Sequence, residues 1–329
     1  MKGTAAAIAI LVGLGAFSAT SAAQNNSRLS ESFPQRPVRW IAPFPPGGAA
    51  DIVSRLIGQK LTEAWGQQIV VDNRPGAGGN VGTEIAARAA PDGYTVVLVP
   101  ATFTTYPSLT KKPAYDPLKD FTPITLVSSS PTILVVNPSL PVKNVQDLIA
   151  LARAKPGELN YASSGIGASA HMAAELFKSM TKTNIVHVPY KGQPPALLDL
   201  MSGRVQIMFP NIPVALPHIK SGRLRALAVS TAKRSALFPE LPTIAESGLP
   251  GFEVLQWSGL MAPAGTAKGI VAKYQRDIAK TLKLPDVRQS LKSQGFEAVG
   301  NTPAEFSDYI RAEIRKWAKV IREAGIRPD

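Results

Sequence analysis

Short apolar, β-rich runs alternate along this chain with stretches whose apolar residues repeat at helical spacing, and no other feature limits the fold as strongly. Strands read at 38–42, 68–71, 94–99, 124–127, 132–137, 159–162, 185–188, 205–209 and 224–230. Helices read between them at 50–64, 81–89, 145–154, 169–180, 194–201 and 214–220. Parallel strands need a crossover connection, usually a helix, so the pattern predicts an α/β fold with parallel-rich sheets flanked by helices. After 263 the pattern turns helical, at 269–282, 285–294 and 303–324; the last keeps Phe306, Ile310, Trp317 and Ile321 on one stripe.

Two extended pieces, 123–138 and 252–263, read as crossings between two bodies. They predict one lobe from 34–128 with 258–329 and a second from 129–257, separated by a cleft. At the start, Lys2 precedes an uncharged apolar run from Ala5 to Phe17, and Ser21-Ala22-Ala23 supplies small residues for a cut after Ala23. This is the layout of a secretory signal peptide over 1–23, followed by a polar leader over 24–33, and it predicts an exported, periplasmic protein.

With no cysteine, disulfides, thiolate metal sites and a cysteine nucleophile are excluded. The three histidines, His171, His187 and His218, have no metal-ligand spacing, and neither metal nor cofactor is expected. The net charge of +13 is dispersed among acidic and apolar residues, so a soluble surface is expected and nucleic acid is not.

Ligands in open α/β sheets bind beyond the carboxyl ends of strands, where loops feed helix starts. Four such loops have suitable chemistry. In Pro43-Phe44-Pro45-Pro46-Gly47-Gly48-Ala49-Ala50-Asp51, prolines stiffen the chain and glycines admit close approach to its backbone; Asp51 suits a helix cap equally well. In Gly76-Ala77-Gly78-Gly79, three glycines in four residues point to a nest of amide donors, while Arg74 suits an ion pair with Asp72 or Glu84. In Ser163-Ser164-Gly165-Ile166-Gly167-Ala168-Ser169, hydroxyls accompany exposed amides. The fourth group is thinner: Thr102 and Thr104 after one strand and Asn211 after another, residues that also serve as ordinary turn formers. Gly165 to Ala170 formally matches a dinucleotide fingerprint, but the acidic residue expected about 20 positions later is missing. Gly-x-Ser-x-Gly is absent, and Ser169 and His171 stand two apart on a helix, so no catalytic pair forms and an enzyme is not expected.

Six ordered motifs together resemble the Bug family, the substrate-binding proteins of tripartite tricarboxylate transporters. They are Pro43-Phe44-Pro45-Pro46-Gly47-Gly48 with Asp51; Asn73-Arg74-Pro75-Gly76-Ala77-Gly78-Gly79-Asn80; Pro91-Asp92-Gly93-Tyr94-Thr95; Val188-Pro189-Tyr190-Lys191-Gly192; Leu241-Pro242-Thr243 with Glu246; and Ala262-Pro263-Ala264-Gly265-Thr266. The resemblance implies a type II periplasmic-binding-protein fold with two crossing strands and an anionic, commonly carboxylate, ligand. It carries over Phe44, Pro46, Gly47, Gly48, Ala50 and Asp51 from the first loop and Gly76, Ala77, Gly78 and Gly79 from the second. Ser163, Ser164, Gly165, Gly167 and Ser169 face them from the other lobe. This chain departs twice: Ala50 stands where many relatives have Thr, and Pro210 where many have Asp, so that role passes to Asn211.

The expectation is therefore a monomeric solute-binding protein that delivers a carboxylated small molecule to membrane permease subunits. A ligand-sensing receptor for a membrane kinase would use the same architecture, and a dinucleotide-dependent enzyme built on Gly165 to Ala170 is the remaining alternative.

Overall fold

The computed structural model describes residues 32–47, 49–235 and 238–326. The expected signal peptide, nearly all of the leader and Gly48 lie outside the described residues.

The chain opens with β1 (Val38–Ala42), α1 (Ala49–Trp65), β2 (Ile69–Asn73), a 3-10 turn over Ala77–Gly79, α2 (Asn80–Ala87), β3 (Thr95–Pro100), α3 (Thr102–Leu109) and β4 (Phe121–Pro131). It continues through β5 (Ile133–Val136), α4 (Val145–Ala154), β6 (Asn160–Ser163), α5 (Ser169–Thr181), β7 (Val186–Pro189), α6 (Gln193–Met201), β8 (Ile207–Met208), α7 (Ile212–Lys220) and β9 (Arg225–Val229). It ends with β10 (Leu255–Pro263), α8 (Lys268–Thr281), α9 (Pro285–Ser293), β11 (Glu297–Ala298) and α10 (Pro303–Glu323).

The strands form two sheets, one of six in the order β11-β4-β10-β3-β1-β2 and one of five in the order β7-β6-β8-β5-β9. Both are mixed. β1 runs parallel to β2 and β3, and β6 runs parallel to β7 and β8. The crossing strands β4 and β10 pair antiparallel with each other, and β5 is antiparallel to β8 and β9.

Successive side chains of a strand point to opposite faces, and each sheet uses this to feed two cores. In the first sheet Trp40, Val96 and Leu98 pack with Val53, Ile57 and Leu61 of α1 and with Tyr274 and Ile278 of α8. Their neighbours Ile41, Val97 and Val99 pack on the other face with Phe103 of α3 and with Phe306 and Ile310 of α10. The second sheet divides likewise, Leu134, Tyr161 and Ile207 facing α4 and α5, and Ile133, Ala162 and Met208 facing α6 and α7.

One helix belongs to both bodies. Thr302 and Glu305 form a reciprocal capping box at the start of α10. Its first half is buried under the first sheet, whereas Trp317, Val320 and Ile321 enter a core of the second. Ser179 on α5 donates to Glu323 at 2.8 Å, tying down the far end.

The chain passes between the sheets after Pro131 and before Leu255, and buried Ser230 holds both passages. Its hydroxyl accepts from the Thr132 N–H at 3.0 Å and the Thr132 hydroxyl at 2.9 Å, and donates to the Val254 carbonyl. Its N–H donates to the Thr132 carbonyl at 3.0 Å, and its carbonyl accepts from Val254 N–H at 3.0 Å. One side chain thus satisfies groups on two chain segments where no ladder continues. Removing a hydrogen-bond partner from a buried donor costs about 1–3 kcal/mol. Ser230→Ala should lower unfolding free energy by about that amount, measured by urea denaturation; an unchanged midpoint would mean Ser230 does not secure the crossings.

Candidate functional site

In both sheets the parallel strands end toward loops that start helices. The first sheet contributes the loops after β1, β2 and β3, leading into α1, the 3-10 turn with α2, and α3. The second contributes those after β6, β7 and β8, leading into α5, α6 and α7. The two sets meet where the Thr105 hydroxyl of α3, whose shorter bond runs to the Thr102 carbonyl at 3.0 Å, lies 3.4 Å from the Gly167 carbonyl. A Cβ at Gly167 would stand 2.6 Å from Leu109 Cδ1, the movable end of a side chain, and the φ of +77° is what makes any residue but glycine strained here.

The first loop is held by Asp51, which is buried in the opening turn of α1. Its carboxylate accepts from Gly47 N–H at 2.9 Å and Asn73 Nδ2 at 2.9 Å, and it pairs with Arg55 at 2.9 Å. Burial alone would raise its pKa, but the bonds from Arg55, Gly47 and Asn73 outweigh that and hold it below the usual carboxylate range. Asn73 also donates to the Phe44 carbonyl at 2.9 Å, so β2 and the first loop move as one unit. Pro46 and Gly47 are exposed, and Ala50 is buried.

The second loop is wound left-handed, with φ of +46° at Ala77, +66° at Gly78 and +98° at Gly79. Gly79 is buried under the Phe44 ring and Pro100, where a Cβ would lie 3.4 and 3.3 Å from them. Gly79 N–H donates to the Gly76 carbonyl at 2.9 Å, Val81 N–H to the same carbonyl at 3.4 Å, and Asn80 N–H to Ala77. Those amides shape the turn, and Ala77 and Gly78 are the residues that face open space. Arg74 pairs with Asp72 at 2.9 Å, as its surroundings in sequence suggest.

Thr102 and Thr104, candidate ligand residues that could equally have formed a turn, fall in the first turn of α3. Thr is a weak helix former, yet Thr104 and Thr105 donate to the carbonyls of Ala101 and Thr102 at 2.9 and 3.0 Å, which satisfies their hydroxyls locally. Thr102 reaches across to the Gly78 carbonyl at 2.9 Å. Thr104 is buried away from the opening, and its neighbour Thr105 lines it instead.

The loop from the second sheet is closed by its own side chains. Gly165 N–H donates to Ser163 Oγ at 3.2 Å, Gly167 N–H to His171 Nδ1 at 3.0 Å, and Ala168 N–H to the Gly165 carbonyl at 3.3 Å. Ser163 is buried, its Oγ 2.7 Å from His187 Nε2. Ser164 and Ser169 are half-buried at the loop's two ends. Asn211 starts α7 without capping it; its N–H donates to Gln193 Oε1 at 3.1 Å and it bridges to Thr132 at the crossing.

Between α2, α3 and this loop lies a cavity of about 410 Å³. Of the residues singled out from sequence, Ala77, Gly78, Thr102 and Gly167 line it. The size falls in the range of small-molecule sites.

The whole chain can now be set beside known proteins. The model of the Tripartite tricarboxylate transporter family receptor matches residues 53–326. The chain belongs to that family. It is 40% identical to Protein BugT of Bordetella pertussis over 300 residues, covering 91% of this chain and 92% of BugT. Among solved structures, R. palustris Rpa4515 with adipate is 40% identical with a TM-score of 0.79, covering 90% of this chain and 100% of that one. The periplasmic binding protein BugD is 35% identical with a TM-score of 0.76 over the same shares. The fold is thus that of periplasmic binding proteins, and the family is one of solute receptors rather than enzymes. The dinucleotide alternative also loses its physical basis, since a phosphate would need the Gly167 amide that His171 accepts. No helix among the described residues is long and apolar enough to cross a membrane.

Sequence reading missed the two histidines behind this loop. Their rings stack 4.2 Å apart, and Tyr161 stacks on His187 at 4.7 Å. Tyr161 donates to buried Glu175, which pairs with Lys178 at 2.7 Å. The spacing of 16 residues between His171 and His187 gives no local cue; the pairing of β6 with β7 and the packing of α5 on β6 bring them together. Burial, then the Lys178 charge, pushes His171 down to about 4. Burial and His171 do the same to His187, against Glu175.

Neutral His171 accepts the Gly167 N–H at Nδ1; a protonated ring cannot. Because the folded pKa lies below the unfolded value, the unfolded chain takes up protons first as pH falls. Stability should be level above about pH 6.5 and fall between 6.5 and 4, with His171 accounting for on the order of 3 kcal/mol, and fall further below 4 as paired carboxylates such as Asp51 take up protons. Denaturant midpoints across that range should show the slope, and His171→Gln should remove part of it; a flat profile in the parent would exclude neutral buried histidines.

Proposed function

We propose that this chain is an exported, periplasmic receptor that takes a carboxylated small molecule between its two lobes and delivers it to a tripartite tricarboxylate-type permease. Residues 1–23 serve as the signal peptide and 24–33 as the leader, and the lobes expected over 34–128 with 258–329 and over 129–257 exchange at Pro131 and Leu255, three residues from the expected bounds. The supporting observation is the opening lined by Ala77, Gly78, Thr102 and Gly167, which draws helix-start loops from both sheets to one place. That Rpa4515 was solved with adipate supports a carboxylate as the ligand class.

The donors we assign are the main-chain N–H groups of Ala77 and Gly78 on one side and of Ser164 and Ser169 on the other, with Asn211 contributing from the crossing. Asp51, Gly47, Phe44 and Gly79 act one step removed, by holding the first two loops in register. A charge-assisted hydrogen bond contributes about 1.5–3 kcal/mol, and micromolar affinity requires about 8 kcal/mol. Four or five such bonds reach that without a cationic side chain. A ligand touching both lobes has higher affinity for their closed arrangement and so favours it.

Melting temperature should rise with carboxylates and not with the matching amides, which lack the negative charge. At a ligand concentration of 100 Kd the gain is about 2.7 kcal/mol. Gly78→Asp should abolish the gain while leaving the apo protein folded, because nothing lies within 4 Å of the added Cβ and Asp tolerates this left-handed backbone. An undiminished thermal shift in Gly78→Asp would remove the second loop from the site.

A further inference from the structure

The cavity beside the glycine loops differs in character from the loops themselves. Its walls carry Val81 and Tyr106 from the first lobe, Leu109 at the end of α3, and Ile166 from the second. Val81 is 41% and Ile166 57% exposed, so both lobes present large apolar side chains to the opening. Exposed apolar surface on both sides of one opening calls for an apolar occupant.

The polar groups around it are largely engaged with the protein. Asn80 donates from Nδ2 to the Ala77 carbonyl at 2.7 Å, and its Oδ1 accepts from the Tyr115 hydroxyl at 2.7 Å. The Tyr106 hydroxyl accepts from Ala114 N–H at 2.8 Å, which leaves its ring for the cavity. Thr102 donates to the Gly78 carbonyl and Thr105 to the Thr102 carbonyl. Among the described residues, Glu84 is the ionisable side chain in the lining other than Tyr106, and it pairs with Arg88 at 2.6 Å. Among the described residues, no Lys, Arg or His lines this cavity.

We infer that the preferred ligand is a monocarboxylate whose apolar body, a ring or a short alkyl chain, fills this cavity while its carboxylate meets the amide loops. The inference rests on the carboxylate reading above and narrows it. Glu84 bears on the second end of the ligand: Arg88 is already committed to it at 2.6 Å, so a second carboxylate placed there would find no cation left to pair with. About 150 Å³ suffices for benzene in a dry cavity, so 410 Å³ admits a ring with space left for the chain that links it to the carboxylate. This sets the chain apart from what the adipate in Rpa4515 alone would suggest.

Hexanoate and adipate have the same carbon chain and differ by one carboxylate, which makes them the deciding pair. Calorimetric titration of the purified chain should show hexanoate binding at least tenfold tighter than adipate. Affinity should rise about fourfold per methylene from propanoate to hexanoate, the effect of burying one methylene. Glu84→Gln should narrow the gap by tightening adipate, and Ile166→Asp, a change at an exposed position, should weaken hexanoate more than acetate. Adipate binding as tightly as hexanoate, with no response to Glu84→Gln, would overturn this inference and leave the carboxylate reading standing. If no carboxylate of any kind binds, both fall together.

Discussion

A main-chain amide at the end of a parallel strand has no ladder to join, and burying it without a partner costs free energy. The architecture around the opening follows from how that requirement is met. Gly47 donates to Asp51, Gly79 to Gly76 and Gly167 to His171, each within or beside its own loop. These bonds hold three flexible segments in one shape. Preorganised donors need no reordering when a ligand arrives, which is how short glycine-rich loops can bind an anion without losing affinity to conformational entropy.

The same requirement shapes the link between the lobes. Two single passages of extended chain would leave polar groups bare at the crossings, and Ser230 supplies partners on both. α10 adds a third link, buried under the first sheet at Phe306 and in the second body's core at Trp317. The contact of Thr105 with Gly167 lies at the opening itself.

Much of this was legible in the sequence because it is local. Strand β1 and helix α4 fall where the apolar pattern places them, since a buried parallel strand and an amphipathic helix are written in consecutive residues. The glycine loops stand out for the same reason. What did not show was tertiary. Helix α3 contains four weak helix formers or breakers, Thr102, Thr104, Thr105 and Pro107, and is held by packing of Phe103 and Tyr106. The short strand β11 pairs with β4 across a large sequence gap. Which loop amides are engaged internally depends on acceptors such as Asp51 and His171, whose orientation no spacing rule conveys. The stacked histidines were invisible for the same reason.

The central claim is that backbone amides of the glycine loops grip a carboxylate between the lobes. Amide chemical shifts report this directly, because an N–H that gains a charged acceptor moves downfield. Titration of the 15N-labelled protein with hexanoate should shift Ala77, Gly78, Ser164 and Ser169 most strongly, with the Gly79 and Gly167 amides moving little because their partners are internal. Saturable binding that leaves those four resonances in place, and perturbs lysine or arginine side chains elsewhere, would contradict the account.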